Sequence, residues 1–282
     1  MKQKVLWYID AGKIMLIKVL SYNMHRAIGV DRLFRPERIA KVIRHHKADI
    51  VLLQEVDVGV PRSRKLDLAK EMAEAAGYTH YATGLNVKLF KGKYGNATLS
   101  KFPILHSRNI DLTVGNRKAR GCLHSTIEIS NSTDFIQSLE IFNLHLGLTS
   151  QERVRQVGLL IHSEEFNSLT PDTPCLVGGD LNDWRTFLAP IFTDILNFEC
   201  ASNHSSGYHN PYLTYPSFSP TGGLDKIFYR GPMELIKRKR CWMGITRLAS
   251  DHLPVFAEFE LQAATHKQQI TGLPDENIHF LI

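Results

Sequence analysis

The stretch "VGGDLNDW", residues 177–184, follows an apolar run with two glycines and then sets Asp180, Asn182 and Asp183 almost side by side. Leu176 and Val177 read as the end of a buried strand, where carboxylates stay unpaired unless something binds them. The glycines would let the backbone turn tightly and come close to a ligand. Taken alone, the stretch fits an Asx-rich turn capping the next element as well as a site for a hard cation or a phosphate. The rest of the chain decides between the two.

Other apolar runs border on polar residues in the same way. Asn23 closes "KVLSYN" and Glu55 closes "IVLLQE", while Asn96 begins "NATLS" just after Tyr94 and Gly95. His145 lies in "FNLHLG", Asp225 in "GGLDKIF", and Asp251 with His252 opens "SDHLPVF". One such residue is an ordinary cap. A whole series of them is not explained by turn chemistry, because ligands gather where strand ends converge.

The pattern between these points is mixed. Strand-like runs outnumber helical ones; some are apolar throughout ("IVLL") and others alternate ("LHSTIEI"), as expected for sheets with covered and half-wet faces. Pro36 is placed to begin a helix. Leu66, Ala69, Ala73 and Ala76 mark another that Gly77 would end, and Thr149 with Glu152 resembles a capping box. The expected fold class is therefore α/β, with mixed sheets and helices interspersed, rather than a purely parallel doubly wound sheet.

The 282 residues carry no repeat, low-complexity tract or linker, so one domain is expected over residues 15–260. Residues 1–14 read as an N-terminal extension and 261–282 as a C-terminal tail. No apolar run is long enough to cross a membrane as a helix. The four cysteines form no CxxC pair and fit buried thiols in a reducing compartment, so a cytoplasmic monomer is expected. A net charge of +6 favours anionic partners: a phosphorylated substrate, nucleic acid or an anionic membrane surface.

With "SYN", "LLQE", "YGNATLS", "NLHLG", "GGDLND", "LDKIF" and "SDHLPV" standing in that order, residues 16–260 resemble the endonuclease/exonuclease/phosphatase superfamily of metal-dependent phosphoesterases. The resemblance implies a four-layer α/β sandwich, two mixed β-sheets face to face with helices outside, and an active site at one edge of the paired sheets. It also implies a divalent cation, Mg²⁺ or Mn²⁺, held by Glu55 with Asn23 and Asp251. Such a cation takes few carboxylates and keeps several waters, and it offsets charge growing on the leaving oxygen.

In this reading Asp180 orients or deprotonates the attacking water, and Asn182 donates to a phosphoryl oxygen or a metal water. Asp225 fixes the tautomer of His252 and stabilises the charged ring, and His145 bonds a non-bridging oxygen or assists the leaving group. Either Asp180 or His252 could be the general base, with a lean towards His252 as base or transition-state stabiliser. Asn96, Arg62, Arg120 and Arg185 are the candidate substrate contacts, the arginines for their bidentate fit to phosphate.

The substrate is less legible. The abasic-site nucleases usually carry Arg directly before their late Asp, whereas Gly223 and Leu224 stand before Asp225. The chain looks most like the compact bacterial metal-dependent hydrolases of the superfamily. The expected substrate is accordingly a phosphodiester of a lipid headgroup or a small metabolite. A nuclease and a catalytically inactive binding module are the alternatives. The run "KRKR", residues 237–240, reads as a protruding or edge strand, and Lys88, Lys91 and Lys93 lie nearer the catalytic set.

Overall fold

The computed structural model describes residues 13–131, 135–204 and 210–263. The expected N-terminal extension, up to residue 12, and the tail from residue 264 lie outside them. In chain order the elements are β1 (Ile14–Asn23), α1 (Pro36–His46), β2 (Ile50–Val58), α2 (Leu68–Ala76), β3 (His80–Lys88), β4 (Lys93–Ser100), β5 (Ile104–Asp111), β6 (Gly121–Ser130) and β7 (Ile136–His145). They continue with α3 (Ser150–Ile161), α4 (Glu164–Asn167), β8 (Cys175–Asp180), β9 (Glu199–Cys200), β10 (Asp225–Arg230), β11 (Met233–Arg240), α5 (Thr246–Ala249) and β12 (Val255–Gln262).

The strands form two six-stranded sheets, ordered β11-β12-β1-β2-β4-β3 and β5-β6-β7-β8-β10-β9. Both are mixed: β1 runs parallel to β2 and β7 parallel to β8, beside antiparallel neighbours. Between the sheets, Val19, Ile50 and Phe259 of one meet Ile127, Ile141 and Ile227 of the other. Outside the first sheet, Leu20, Val51 and Leu53 pack on Ile39, Val42 and Met72 of α1 and α2. Outside the second, Phe142, Val177 and Phe228 pack on Val157 and Leu160 of α3 and Phe166 of α4. Each fully buried aliphatic or aromatic side chain contributes about 1.5–3 kcal/mol to this packing. The result is the α/β sandwich that the alternation of apolar runs implied.

Local signals set the helices. Pro36 is the first residue of α1, and Asp67 caps α2 by accepting from the amides of Ala69 and Lys70. Gly77 ends α2 at φ 77°, a left-handed position that glycine takes without strain. Thr149 accepts from the Glu152 amide, but the Glu152 carboxylate bonds Gln156 instead of reaching back, so only half of the capping box forms. Asp183 caps a turn rather than a helix, accepting from the Leu188 amide at 2.7 Å. The basic run lies in β11, an edge strand with a bulge between Leu235 and Lys237. β12 extends to Gln262, two residues into the expected tail.

The two glycines of the opening stretch do something other than turn the chain. β8 runs through them to Asp180. A Cβ on Gly179 would lie 2.0 Å from the Leu144 carbonyl oxygen, and one on Gly178 2.9 Å from Leu52 Cδ1. They let β8 close against β7 and against the facing sheet.

Polar pins hold the sheets in register near one edge. Asn143 donates to the carbonyls of Leu53 and Ala97 and accepts from Gln54 at 2.8 Å, bridging β7 to β2 and β4. Such buried groups are costly to leave unpaired, so this bridge fixes how the two sheets meet.

His46 is a less settled buried group. It is 7% exposed at the end of α1, its ring stacks on Phe256, and neither ring nitrogen has a hydrogen-bond partner. Burial, helped by the charges of Lys239 and His45, pushes its imidazole down to about 4. The unfolded chain, at an ordinary pKa near 6.5, therefore binds a proton between pH 6.5 and 4 that the native state resists. Stability should fall by about 2 kcal/mol as pH drops through that window, allowing for some solvent contact. His46→Phe should flatten that part of the slope while keeping the stack. Urea unfolding of both proteins at several pH values checks it; parallel slopes would clear His46 of the effect.

Candidate active site

The topology carries the candidate residues to one edge. β1 ends there at Asn23, where its parallel pairing with β2 stops at Gln54 just before Glu55, and parallel β7 and β8 end at His145 and Asp180. Antiparallel β4, β10 and β12 start there, bringing Asn96, Asp225 and the Asp251–His252 pair.

The centre is a buried line of carboxylates and imidazoles. Asp225 Oδ2 lies 2.9 Å from His252 Nδ1. His252 Nε2 then lies 3.7 Å from Asp180 Oδ2, and His145 Nε2 lies 3.6 Å from the same oxygen. Asn23 donates to Asp180 Oδ2 at 3.0 Å, and the Asn182 amide donates to Asp180 Oδ1 at 2.9 Å. Asn182 sits at φ 52° and anchors its side chain on the Leu146 carbonyl. Tyr215 covers His252, with ring centroids 4.9 Å apart.

The electrostatics divide the two histidines. Burial lowers the His252 imidazole, but Asp225, Asp180 and Asp251 outweigh it and leave the ring well above its ordinary value, so it stays cationic at neutral pH. His145 goes the other way: burial and the charges of Arg120, His252, Lys118 and Arg26 hold it neutral. Burial also raises the Asp180 carboxyl, against the pull of His252 and its two hydrogen bonds.

Beside this line stands Glu55. The register of β2 on β4 shifts between Leu53 and Val56, and Glu55 takes φ 60° in that bulge. A non-glycine residue in this conformation costs about 1–3 kcal/mol, and such strain gathers where a side chain must be aimed. Its Oε2 is buried with no hydrogen-bond partner; the nearest cation is Arg26 Nε at 3.4 Å. Asn23 Oδ1 accepts from the His25 amide, and Asp251 Oδ1 lies 3.7 Å from His25 Nδ1. Two carboxylates and an amide oxygen, one oxygen orphaned, suit a cation that keeps most of its water. The residues present therefore fit Mg²⁺ or Mn²⁺.

The candidate substrate contacts fare unequally. Arg120 is buried near His145 and Tyr94, and its Nε has no partner. Arg62 reaches the same neighbourhood, 5.6 Å from the Tyr94 ring, but grips buried Asp57 with both Nε and a terminal nitrogen. Both hydrogens of the Asn96 amide are taken by the carbonyls of Gly121 and Asn143, so Asn96 pins the two sheets together. Arg185 is exposed and, among the described residues, holds no ion pair. Two cations that sequence reasoning passed over also face the site: Arg26, beside Glu55, and Lys118, whose ammonium lies 4.9 Å from the Tyr94 ring. The only sequence signal for Lys118 was its place two residues before Arg120.

The sequence model of the Endonuclease/Exonuclease/phosphatase family matches residues 20–252, from the end of β1 through His252. The chain belongs to this family. Its members are generally hydrolases that act on phosphoesters. A relative in Escherichia coli strain K12, "Uncharacterized protein YbhP", is 30% identical over 89% of this chain and 99% of its own length. Among solved structures, a family protein from Beutenbergia cavernae superimposes with a TM-score of 0.70 at 20% identity, covering 88% of this chain and 72% of that one. The mannosyl-6-phosphatase of Bacteroides thetaiotaomicron gives 0.64 at 19% identity over 86% of this chain and 99% of its own, and truncated Caenorhabditis elegans TDP2 gives 0.61 at 20% over 86% and 97%. These structural likenesses show the shared fold alone and carry no substrate with them.

Proposed function

We propose that this member of the family is a Mg²⁺- or Mn²⁺-dependent phosphoester hydrolase acting on a phosphodiester of a lipid headgroup or a small metabolite. The observation that carries the reading is the Asp225–His252–Asp180 line, with Asn23 and Asn182 fixing Asp180 at both oxygens. Asp180 is the base that takes a proton from the attacking water. His252, held cationic by Asp225, donates through Nε2 to the phosphoryl oxygens as they gain charge. Of the two roles expected of His252, base or transition-state stabiliser, this is the second, because an imidazole already protonated has no site left to accept with. Neutral His145 donates its ring N–H to the same oxygens, and Arg120 offers a guanidinium to a non-bridging oxygen.

Glu55, Asp251 and Asn23 would hold the cation, which supplies a Lewis acid against the charge of the phosphoryl group. Glu55→Gln keeps the shape of the site and removes one charge. Its affinity for Mg²⁺, read by calorimetry, should fall by at least about tenfold with the fold intact. Unchanged affinity would take Glu55 out of the cation site.

The activity itself is tested with bis-p-nitrophenyl phosphate, a sugar phosphate, a glycerophosphodiester, plasmid, abasic duplex and single strands, each with and without Mg²⁺ or Mn²⁺. Turnover of small diesters with the metal is the expected result. Preferential cutting of DNA that His252→Ala abolishes would make the protein a nuclease, and silence across the panel in metal-loaded protein would make it a binding module.

A further inference from the structure

The rim of the site carries aromatic and aliphatic side chains where a soluble mouth is ordinarily polar. Trp184, Phe218 and Trp242 are 51%, 58% and 48% exposed, and Leu213 and Leu248 stand out beside them. They are linked to the catalytic line by direct contacts. Trp184 packs edge-on against Tyr215 at 5.6 Å, and Tyr215 lies on His252. Ser217 donates its amide to the Asp251 carbonyl and its hydroxyl to the Arg247 carbonyl, and Arg247 in turn holds the Phe218 carbonyl at 3.2 Å. Arg240 holds the Leu213 carbonyl, and the Arg240 and Arg247 guanidiniums lie 4.6 and 5.3 Å from the Trp242 ring centroid. Arg240 also ends the basic strand β11.

We infer that this rim docks the active-site mouth onto an anionic phospholipid bilayer. Tryptophan, phenylalanine and leucine on exposed loops enter the boundary between headgroups and acyl chains, and arginines among them meet lipid phosphates. The inference rests on the lipid-headgroup reading of the substrate and deepens it, since a protein docked here would present its site to the headgroup layer. A single-stranded nucleic acid suits the surface less well. The Trp242 ring already has two guanidiniums over it, and a Cβ on Gly222 would lie 2.8–3.3 Å from Trp184 ring atoms, so that ring also has a covered face. Base stacking needs an open ring face. Leu213 and Leu248 have no face to offer a base, but both have area to offer acyl chains.

The experiment compares sedimentation with phosphatidylcholine vesicles and with vesicles containing about one-third phosphatidylglycerol, a fraction that gives a strongly negative surface. Two of the three tryptophans lie in the rim, so their emission reports contact directly. The intact protein should bind the anionic vesicles with a blue shift, and binding should weaken several-fold between about 0.1 and 0.5 M salt. Phe218→Ser with Trp242→Ala, and separately Arg240→Glu, should each weaken binding by about tenfold. Turnover of soluble bis-p-nitrophenyl phosphate should be unchanged in both. Absence of binding by the intact protein, variants that bind as it does, or loss of oligonucleotide binding in the same variants without any vesicle binding would each overturn the inference. Binding to vesicles without hydrolysis of any ester would sink the hydrolase reading alone. Hydrolysis of soluble esters without vesicle binding would sink the docking alone.

Discussion

His252→Ala should lower turnover of a small phosphodiester by about 10³–10⁴-fold, Asp225→Asn by about 10²–10³-fold, and the double variant by no more than the first alone. Asp225 is fully buried and its Oδ2 lies 2.9 Å from His252 Nδ1, so what it contributes passes through that ring. With the ring gone, its charge has no remaining job at the phosphoryl group. The same geometry makes a separate statement about stability. His252→Ala leaves a buried carboxylate without its cation, and breaking such a pair costs about 3–5 kcal/mol. Adding Asp225→Asn removes the stranded charge, so the double variant should unfold at higher urea than His252→Ala. Kinetics under saturating Mg²⁺ and urea titrations check both parts. Losses that multiply in the double variant would show two groups working independently.

How much of this was legible in advance depends on what each residue's neighbours demand. Strands β1, β2, β7, β8, β10 and β12 have at least one side covered by a core, and their apolar runs announced them. β3 and β5 are edge strands, and β5 is exposed along most of its length, so "ILHSRNID" carries little periodicity to detect. The polar residues at the converging strand ends were visible for the same reason as the central strands: nothing local explained them. Asn96 shows where that logic stops. Its position is that of a site residue, but its hydrogens bind carbonyls across the sheets, and only the pairing of β4 against β6 and β7 reveals it.

The glycines were misread for a related reason. Gly178 and Gly179 read as a turn because acidic residues follow, whereas the close contacts they permit are those of Gly179 with Leu144, 35 residues earlier, and of Gly178 with Leu52, 126 residues earlier. Arg26 was hidden by backbone shape. It becomes a neighbour of Glu55 because His25, Arg26 and Ala27 take φ of 45°, 58° and 57° in succession, a turn that no sequence rule assigns to such residues.

Asp180→Asn should lower the turnover number by about 10³-fold or more while KM and Mg²⁺ affinity change little. The carboxylate is fixed at both oxygens, by Asn23 at 3.0 Å and by the Asn182 amide at 2.9 Å, and two imidazoles lie 3.6 and 3.7 Å from Oδ2. An asparagine there has one acceptor for two donors, so one hydrogen bond is lost and stability falls by about 1–2 kcal/mol. That is far short of unfolding a domain of this size. The amide cannot take a proton from water, and this loss appears in the turnover number alone if substrate and cation are held elsewhere, by Arg120 and by Glu55 with Asp251. Calorimetry and steady-state kinetics on one preparation separate the two assignments. If Mg²⁺ affinity collapsed and turnover recovered at high Mg²⁺, Asp180 would be a cation ligand, and the proton would have to leave by way of His145.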